Sequence, residues 1–199
     1  MRRFILPSVI LLIAVQMSWA QPIDAGPNLN VCPGTPISLS AVINPGMPAA
    51  GPETQLPNIM SCDDCSSPVV NIGFPFTFYG NSYTQCVVTS NGYITFNLAS
   101  ANGYSPWSIS SGIPNGSLPT NAIMAPWHDI NPALTGANDI IRYQTFGTAP
   151  NRVFIVEYLD VGMFSCGVSF CYGAQIKLFE GTNVIETHIA NKPLCASWN

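Results

Sequence analysis

The tightest constraint on this chain is the alternation that begins at Ile72. In the run from Val69 to Leu98, Ile72, Phe74, Phe76 and Phe78 fall on every second residue, the period of a half-buried β-strand and not of a helix. Gly80-Asn81 breaks the run, and two β-rich segments follow, Thr84 to Ser90 and Tyr93 to Leu98. Asn91-Gly92 joins them. That dipeptide suits a two-residue type I′ turn, whose central residues both need positive φ. Such a turn sets Ser90 opposite Tyr93, Thr89 opposite Ile94, Val87 opposite Phe96 and Gln85 opposite Leu98. Val87, Ile94, Phe96 and Leu98 then share the core face.

The rest of the chain repeats this logic. Ala122 to Trp127 reads as a short apolar strand, Ile140 to Phe146 as another, and Arg152 to Val161 as a strong one after the turn at Gly147 to Asn151. Ala174 to Glu180 and Asn183 to Ala190 flank Gly181-Thr182. A two-residue turn there puts Leu178 opposite Ile185, Ile176 opposite Thr187 and Ala174 opposite Ile189 on the core side. The other side then carries Lys177 against Glu186 and Gln175 against His188, as a wet face should. The expected fold is all-β, an antiparallel β-sandwich of jelly-roll or Ig-like type. A short N-terminal lead strand, Pro36 to Ile43, precedes it, followed by the Pro- and Gly-rich connection from Asn44 to Asn58.

The N-terminus states a compartment. Arg2 and Arg3, the apolar run from Ile5 to Val15, and Ser18 and Ala20 before the cleavage point make a secretory signal peptide over residues 1–20. That run is too short to span a bilayer, and no later segment is long and apolar enough, so no membrane insertion is expected after cleavage. The remaining 179 residues carry four cations against ten carboxylates, a net charge of −6. Four scattered cations are no footprint for nucleic acid or anionic lipid, and both partners are excluded.

Seven cysteines remain after cleavage: Cys32, Cys62, Cys65, Cys86, Cys166, Cys171 and Cys195. In an exported chain disulfides are the expectation, and the odd count leaves one thiol free, intermolecular, or paired beyond Asn199. Cys62-Asp63-Asp64-Cys65 lacks the βαβ setting of a redox motif and the second ligand pair of a zinc site. It reads as a small disulfide-closed loop, or as two bridges to different partners. Extending the last hairpin places Cys195 opposite position 168, within reach of Cys166 or Cys171.

Catalytic patterns are absent, and no enzyme is expected. His188 falls on the wet face of a strand. His128 and Asp129 are adjacent on an extended segment, so they point to opposite sides and form no triad. Glu157 and Glu186 could be imagined as a glycosidase dyad, yet strand-borne acids ordinarily solvate an outer face. Asp129, Asn131 and Asp139 supply oxygens that Ca²⁺ would accept, a weak signal because such residues also form turns. No other metal or cofactor is expected. In the Ser/Gly/Pro-rich loop from Ala99 to Pro119, Tyr104 and Trp107 are candidate ligand contacts, while the apolar flanks of Trp127 assign it to the core. Asn115-Gly116-Ser117 is a glycan acceptor pattern.

The segments IGFPFTFYGNSYTQCVVTSNGYITF, NAIMAPWHDINP, IRYQTFGTAPNRVFIVEY, MFSC and QIKLFEGTNVIETHIANKPLCASWN together resemble the globular β-domain of large secreted bacterial surface proteins. That class is gliding-motility-associated, exported by the type IX route and often built with PKD or Ig-like repeats. The same order of elements is distantly similar to nidogen-like extracellular domains. The likeness covers residues 69–199, and DAGPNLNVCPGTPISLSA separately resembles the lead strand of PKD-like repeats.

The expected domain organisation is 1–20 signal peptide, 21–60 lead strand, PKD-like by resemblance, with its Pro-rich connection, and 61–199 β-sandwich, truncated at its C-terminus. The resemblance also implies a polypeptide continuing beyond Asn199. It favours Cys166–Cys195 over Cys171–Cys195 and carries no catalytic residues. The expected role is a non-catalytic module of a secreted, bacterial cell-surface, adhesin-like protein in contact with extracellular protein or glycan. The alternative is a secreted carbohydrate-active protein, either an accessory sugar-binding domain or a hydrolase.

Overall fold

The computed structural model describes residues 23–24, 42–43, 58–108, 112–113, 115–116, 119–134 and 139–196, of which 23–24, 42–43 and 168–170 as backbone alone. Residues 1–20, most of the lead strand, Cys32 and Ser117 lie outside the described residues. The chain divides into two compact units, Met1–Asn28 with Ser38–Glu53, and Leu29–Ile37 with Thr54–Asn199. In the first, β1 (Ile23–Asp24) pairs antiparallel with β2 (Val42–Ile43).

The second unit carries two four-stranded antiparallel sheets. One holds β3 (Ser66–Phe78), β4 (Asn81–Thr89), β5 (Tyr93–Thr95) and β6 (Ala122–Met124) in that order. The other holds β7 (Ile140–Phe146), β8 (Val153–Met163), β9 (Gly167–Phe179) and β10 (Ile185–Asn191) in the order β10-β9-β8-β7. Each sheet is a plain meander, without the crossing connections of a jelly-roll or Ig-like topology among the described strands. Their apolar faces close on one core: Val70, Ile72, Phe74, Phe76, Cys86, Val88, Ile94 and Phe96 from one side, and Ile141, Phe154, Val156, Tyr158, Tyr172, Ile176 and Leu178 from the other. The phenylalanine strand is therefore a core strand, with Phe78 partly buried at its end.

β3 bends over its partner. Its register with β4 jumps between Asn71 and Phe76, and Gly73 within the bulge adopts φ 90°. The bulge turns the Ile72 carbonyl to the Thr145 hydroxyl (2.6 Å) and the Gly73 carbonyl to the Arg152 guanidinium. Arg152 also forks onto Glu180, and its guanidinium lies over the Phe74 ring. Side chains of the second sheet thus occupy carbonyls on the edge of the first. Asn58 does the same at β7, accepting from Ile141 N–H (3.0 Å) and donating to the Asp139 carbonyl (2.9 Å). Asn58–Met60, at the end of the sequence-expected lead, accordingly belong to the sandwich.

The two hairpins differ in outcome. The last pairs Ile185 with Leu178, Glu186 with Lys177, Thr187 with Ile176, His188 with Gln175 and Ile189 with Ala174, the register expected. Yet Ile185 and Ile189 are exposed and not core. β10 is an end strand of its sheet, and among the described residues its inward side is left exposed. The first hairpin is shifted by one residue, with Val87 opposite Thr95 and Val88 opposite Ile94. Its tip is the three-residue loop Ser90-Asn91-Gly92, with only Gly92 left-handed at φ 81°. Cys86 and Val88 therefore face the core. Val87 is buried on the opposite side of the sheet, and Leu98 leaves it in a half-exposed 3-10 turn, Leu98–Ser100.

Candidate functional site

The shift of the first hairpin gives Asn91 a task that a turn residue does not have. Asn91 is fully buried. Its amide nitrogen donates to Asp64 Oδ1 (2.9 Å) and to the carbonyl (3.1 Å) and hydroxyl (3.2 Å) of Ser105. Its side-chain oxygen accepts from Ile130 N–H (3.2 Å). One amide thus ties the Cys62–Cys65 loop, the loop after β5 and the segment after β6 to a single hairpin tip. Sequence reasoning read Asn91 as turn chemistry alone. Its only distinguishing signal was an Asn at a tip flanked by strands that bury it.

Around this tip the loops interlock. Cys62 and Cys65 are disulfide-bonded to each other, Cα atoms 6.0 Å apart. Ser90 N–H donates to the Cys65 carbonyl, Ser105 N–H to the Asp64 carbonyl, and Cys65 bridges Tyr104 in antiparallel fashion. From the other sheet Tyr158, fully buried, donates to the carbonyls of Thr89 and Tyr93, both at 3.1 Å. Tyr172 donates to the Pro126 carbonyl at 2.9 Å.

The knot gathers three carboxylates. Asp63, Asp64 and Asp129 each offer an oxygen within 4.8 Å of the others, and Asp129 is buried. Burial and the charge of Asp64 hold the Asp63 carboxyl above the ordinary carboxylate range. Hard cations take such all-oxygen sets. Asp129 thus belongs with two acids that the sequence reading left in the CxxC loop. Its expected companions are committed elsewhere: Asn131 Oδ1 accepts from Ala133 N–H (2.8 Å), and Asp139 Oδ1 accepts from Gly162 N–H (2.7 Å). His128 is buried. Burial, helped by the charge of Lys192, lowers its imidazole to about 4, and its Nε2 has no hydrogen-bond partner.

Outside the knot, the outer face of the β3–β6 sheet is covered by the loop after β5. Tyr93 and Trp127 form a second small apolar cluster there, ring centroids 6.3 Å apart, and Trp127 Nε1 donates to the Pro106 carbonyl (2.9 Å). Trp127 is thus buried, as its neighbours in sequence suggested, though in this satellite and not in the main core. Beside the cluster opens a cleft of about 210 Å³ lined by Tyr93, Thr95, Asn97, Ser100, Tyr104, Pro106, Gly116, Pro119 and Thr120. No charged side chain is among these. Tyr104 stands at its edge with 62 % of its surface exposed. Partial desolvation and the nearby carboxylates of Asp64, Asp129 and Asp63 raise its phenol, and a hydrogen bond to Trp107 opposes them. The two aromatic residues singled out from the loop are therefore in contact with each other.

The remaining sequence candidates lie apart from this end. Cys166 is bonded to Cys195, Cα atoms 5.9 Å apart, and Cys171 is disulfide-bonded as well. The odd thiol is Cys86, a free core residue pushed up to about 12 by burial. Glu157, on the outer face of β8, pairs with Arg142 (2.6 Å) and accepts from Gln175 (2.7 Å), while Glu186 pairs with His188 at 2.9 Å.

Searches of curated proteins and of solved structures return no match. A family model described as NIDO related matches residues 48–197, most of the chain and the whole of both sheets. The chain belongs to the NIDO-related family.

Proposed function

We propose that this chain is a non-catalytic contact module of an extracellular, adhesin-like surface protein, and that it engages protein or glycan at the Tyr104 cleft. The observation that carries this reading is Tyr104 itself, an exposed ring hydrogen-bonded to Trp107 at the rim of an uncharged, hydroxyl- and proline-lined cleft. An amphipathic ring held by its neighbour loses little freedom on binding, which suits recognition of sugar or protein surfaces. Family membership and the oxidised cysteines support an extracellular setting. The finer setting, a type IX-exported gliding-motility-associated protein with a PKD-like lead on the bacterial surface, rests on the likeness of residues 24–41 and 69–199 described above.

A glycan array and a panel of extracellular matrix proteins, probed with the full chain, test the reading. Saturable binding that falls about tenfold or more in Tyr104→Ala and Trp107→Ala, with unchanged thermal midpoint, supports it. Binding indifferent to both substitutions overturns the cleft. The neutral lining of the cleft favours the carbohydrate-active alternative to the extent that a sugar is the ligand. Glycoside hydrolysis abolished by Glu157→Gln would replace the contact module with an enzyme.

A further inference from the structure

Four of the ten exposed large apolar side chains among the described residues, Val184, Ile185, Ile189 and Leu194, lie within one short stretch that includes β10. Every residue from Ile185 to Ala190 is exposed, and β10 is an end strand of its sheet. Two other edges are engaged: Thr145 and Arg152 take carbonyls of β3, and Asn58 and Ile59 bond to β7. The β10 edge lacks such a cover among the described residues. Its outward backbone groups can be identified. Phe179 N–H donates to the Val184 carbonyl, so alternation along an antiparallel ladder aims Glu186 and His188 at β9 and leaves the N–H and C=O of Ile185, Thr187 and Ile189 pointing away.

These three residues are spaced for self-pairing. We infer that β10 docks antiparallel against β10 of a second copy of this chain, about a two-fold axis through Thr187. In that register Thr187 meets Thr187, and Ile185 meets Ile189 of the other copy. The outward donors and acceptors of each strand then face those of the other. Glu186 falls opposite His188 of the second copy, and His188 opposite Glu186. Apolar meets apolar on one face and acid meets base on the other, the self-complementarity that an isologous interface requires. A register shifted by one residue would set isoleucine against charge. Edge strands normally resist pairing through like charges or a covering element. This one presents a carboxylate and an imidazole, bonded to each other within the strand and able to re-pair across the axis, and no cover among the described residues. One strand pair buries less surface than a standard interface, so the association is expected to be reversible and concentration-dependent.

Sedimentation velocity of the full chain over a concentration series is the test. Self-association is expected, weakened by about tenfold or more in Glu186→Lys and in His188→Glu, each of which removes the acid–base match across the axis. Combining Glu186→Lys with His188→Glu restores it, because the introduced lysine of one copy then faces the introduced glutamate of the other. Both positions are exposed, so circular dichroism melts should shift by no more than a few degrees, Glu186→Lys the more because it then faces Lys177 across the hairpin. Thr187→Cys adds a thiol on the proposed axis, where mild oxidation yields a covalent dimer, while Ile185→Cys does not. Wild-type chain that stays monomeric throughout, or a dimer indifferent to both single charge changes, overturns the inference. Loss of cleft binding in Tyr104→Ala leaves it untouched, since the strand lies in the other sheet.

Discussion

At the scale of single residues, two positions carry more than their type suggests. Gly92 is left-handed, and a Cβ built on it meets the Pro126 carbonyl oxygen at 2.7 Å and the Tyr172 hydroxyl at 2.9 Å. Gly92→Ala therefore combines backbone strain with the loss of the Tyr172 to Pro126 hydrogen bond. A cost of about 2–3 kcal/mol is expected from urea denaturation. Gly80, with φ 79° but open space around it, should lose only the backbone part, about 1 kcal/mol. Cys86 is the complementary case, a thiol that could be mistaken for a half-finished disulfide. Its burial and raised pKa make it a small core hydrophobe. Mass spectrometry after thiol alkylation should find Cys86 unmodified in the folded protein at pH 8 and modified once urea unfolds it. Rapid native labelling would show that the core opens locally.

At the scale of elements, β3 is the strand on which the core depends. Phe76 is fully buried and stacks near Phe96, centroids 6.1 Å apart. Phe76→Ala should cost about 3–5 kcal/mol, against under about 1 kcal/mol for Thr77→Ala on the exposed side, by chemical denaturation. This alternation was fully legible in sequence, because a period of two over several large aromatics has one reading. The last hairpin was legible in register too, since Lys177 with Glu186 and Gln175 with His188 agree with the turn. What sequence could not supply was cover. Ile185 and Ile189 sit on the inward side of their strand, but burial depends on whether the facing sheet reaches that far. The first hairpin misled for a different reason. Asn-Gly promises two left-handed residues, but Asn91 keeps negative φ and spends its amide on three loops, so the tip takes a third residue. The acid trio was illegible because Asp63 and Asp129 are brought together only by that knot, whereas Tyr104 and Trp107, three residues apart, could be found.

At the scale of the whole molecule, one part of the protein's response to acid follows from the buried imidazole of His128. Its folded pKa, about 4, lies below the ordinary histidine value, so the unfolded chain takes up a proton first as pH falls. The contribution of His128 is full above about pH 6.5 and is lost progressively down to about pH 4, by up to about 3 kcal/mol. His128→Gln should flatten this part of a stability-against-pH curve measured by urea midpoints, and an unchanged slope would assign it to other groups. A last consequence follows from the buried amide of Asn91. Loops drawn from three distant parts of the chain answer to one side chain, so they should breathe together and not separately. Amide exchange at Ser105, Ile130 and Cys65 should share one opening free energy, and Asn91→Ala should speed all three in step while leaving β8 and β9 protected. This end of the sandwich would then open and close as one cooperative unit, governed by a single buried side chain.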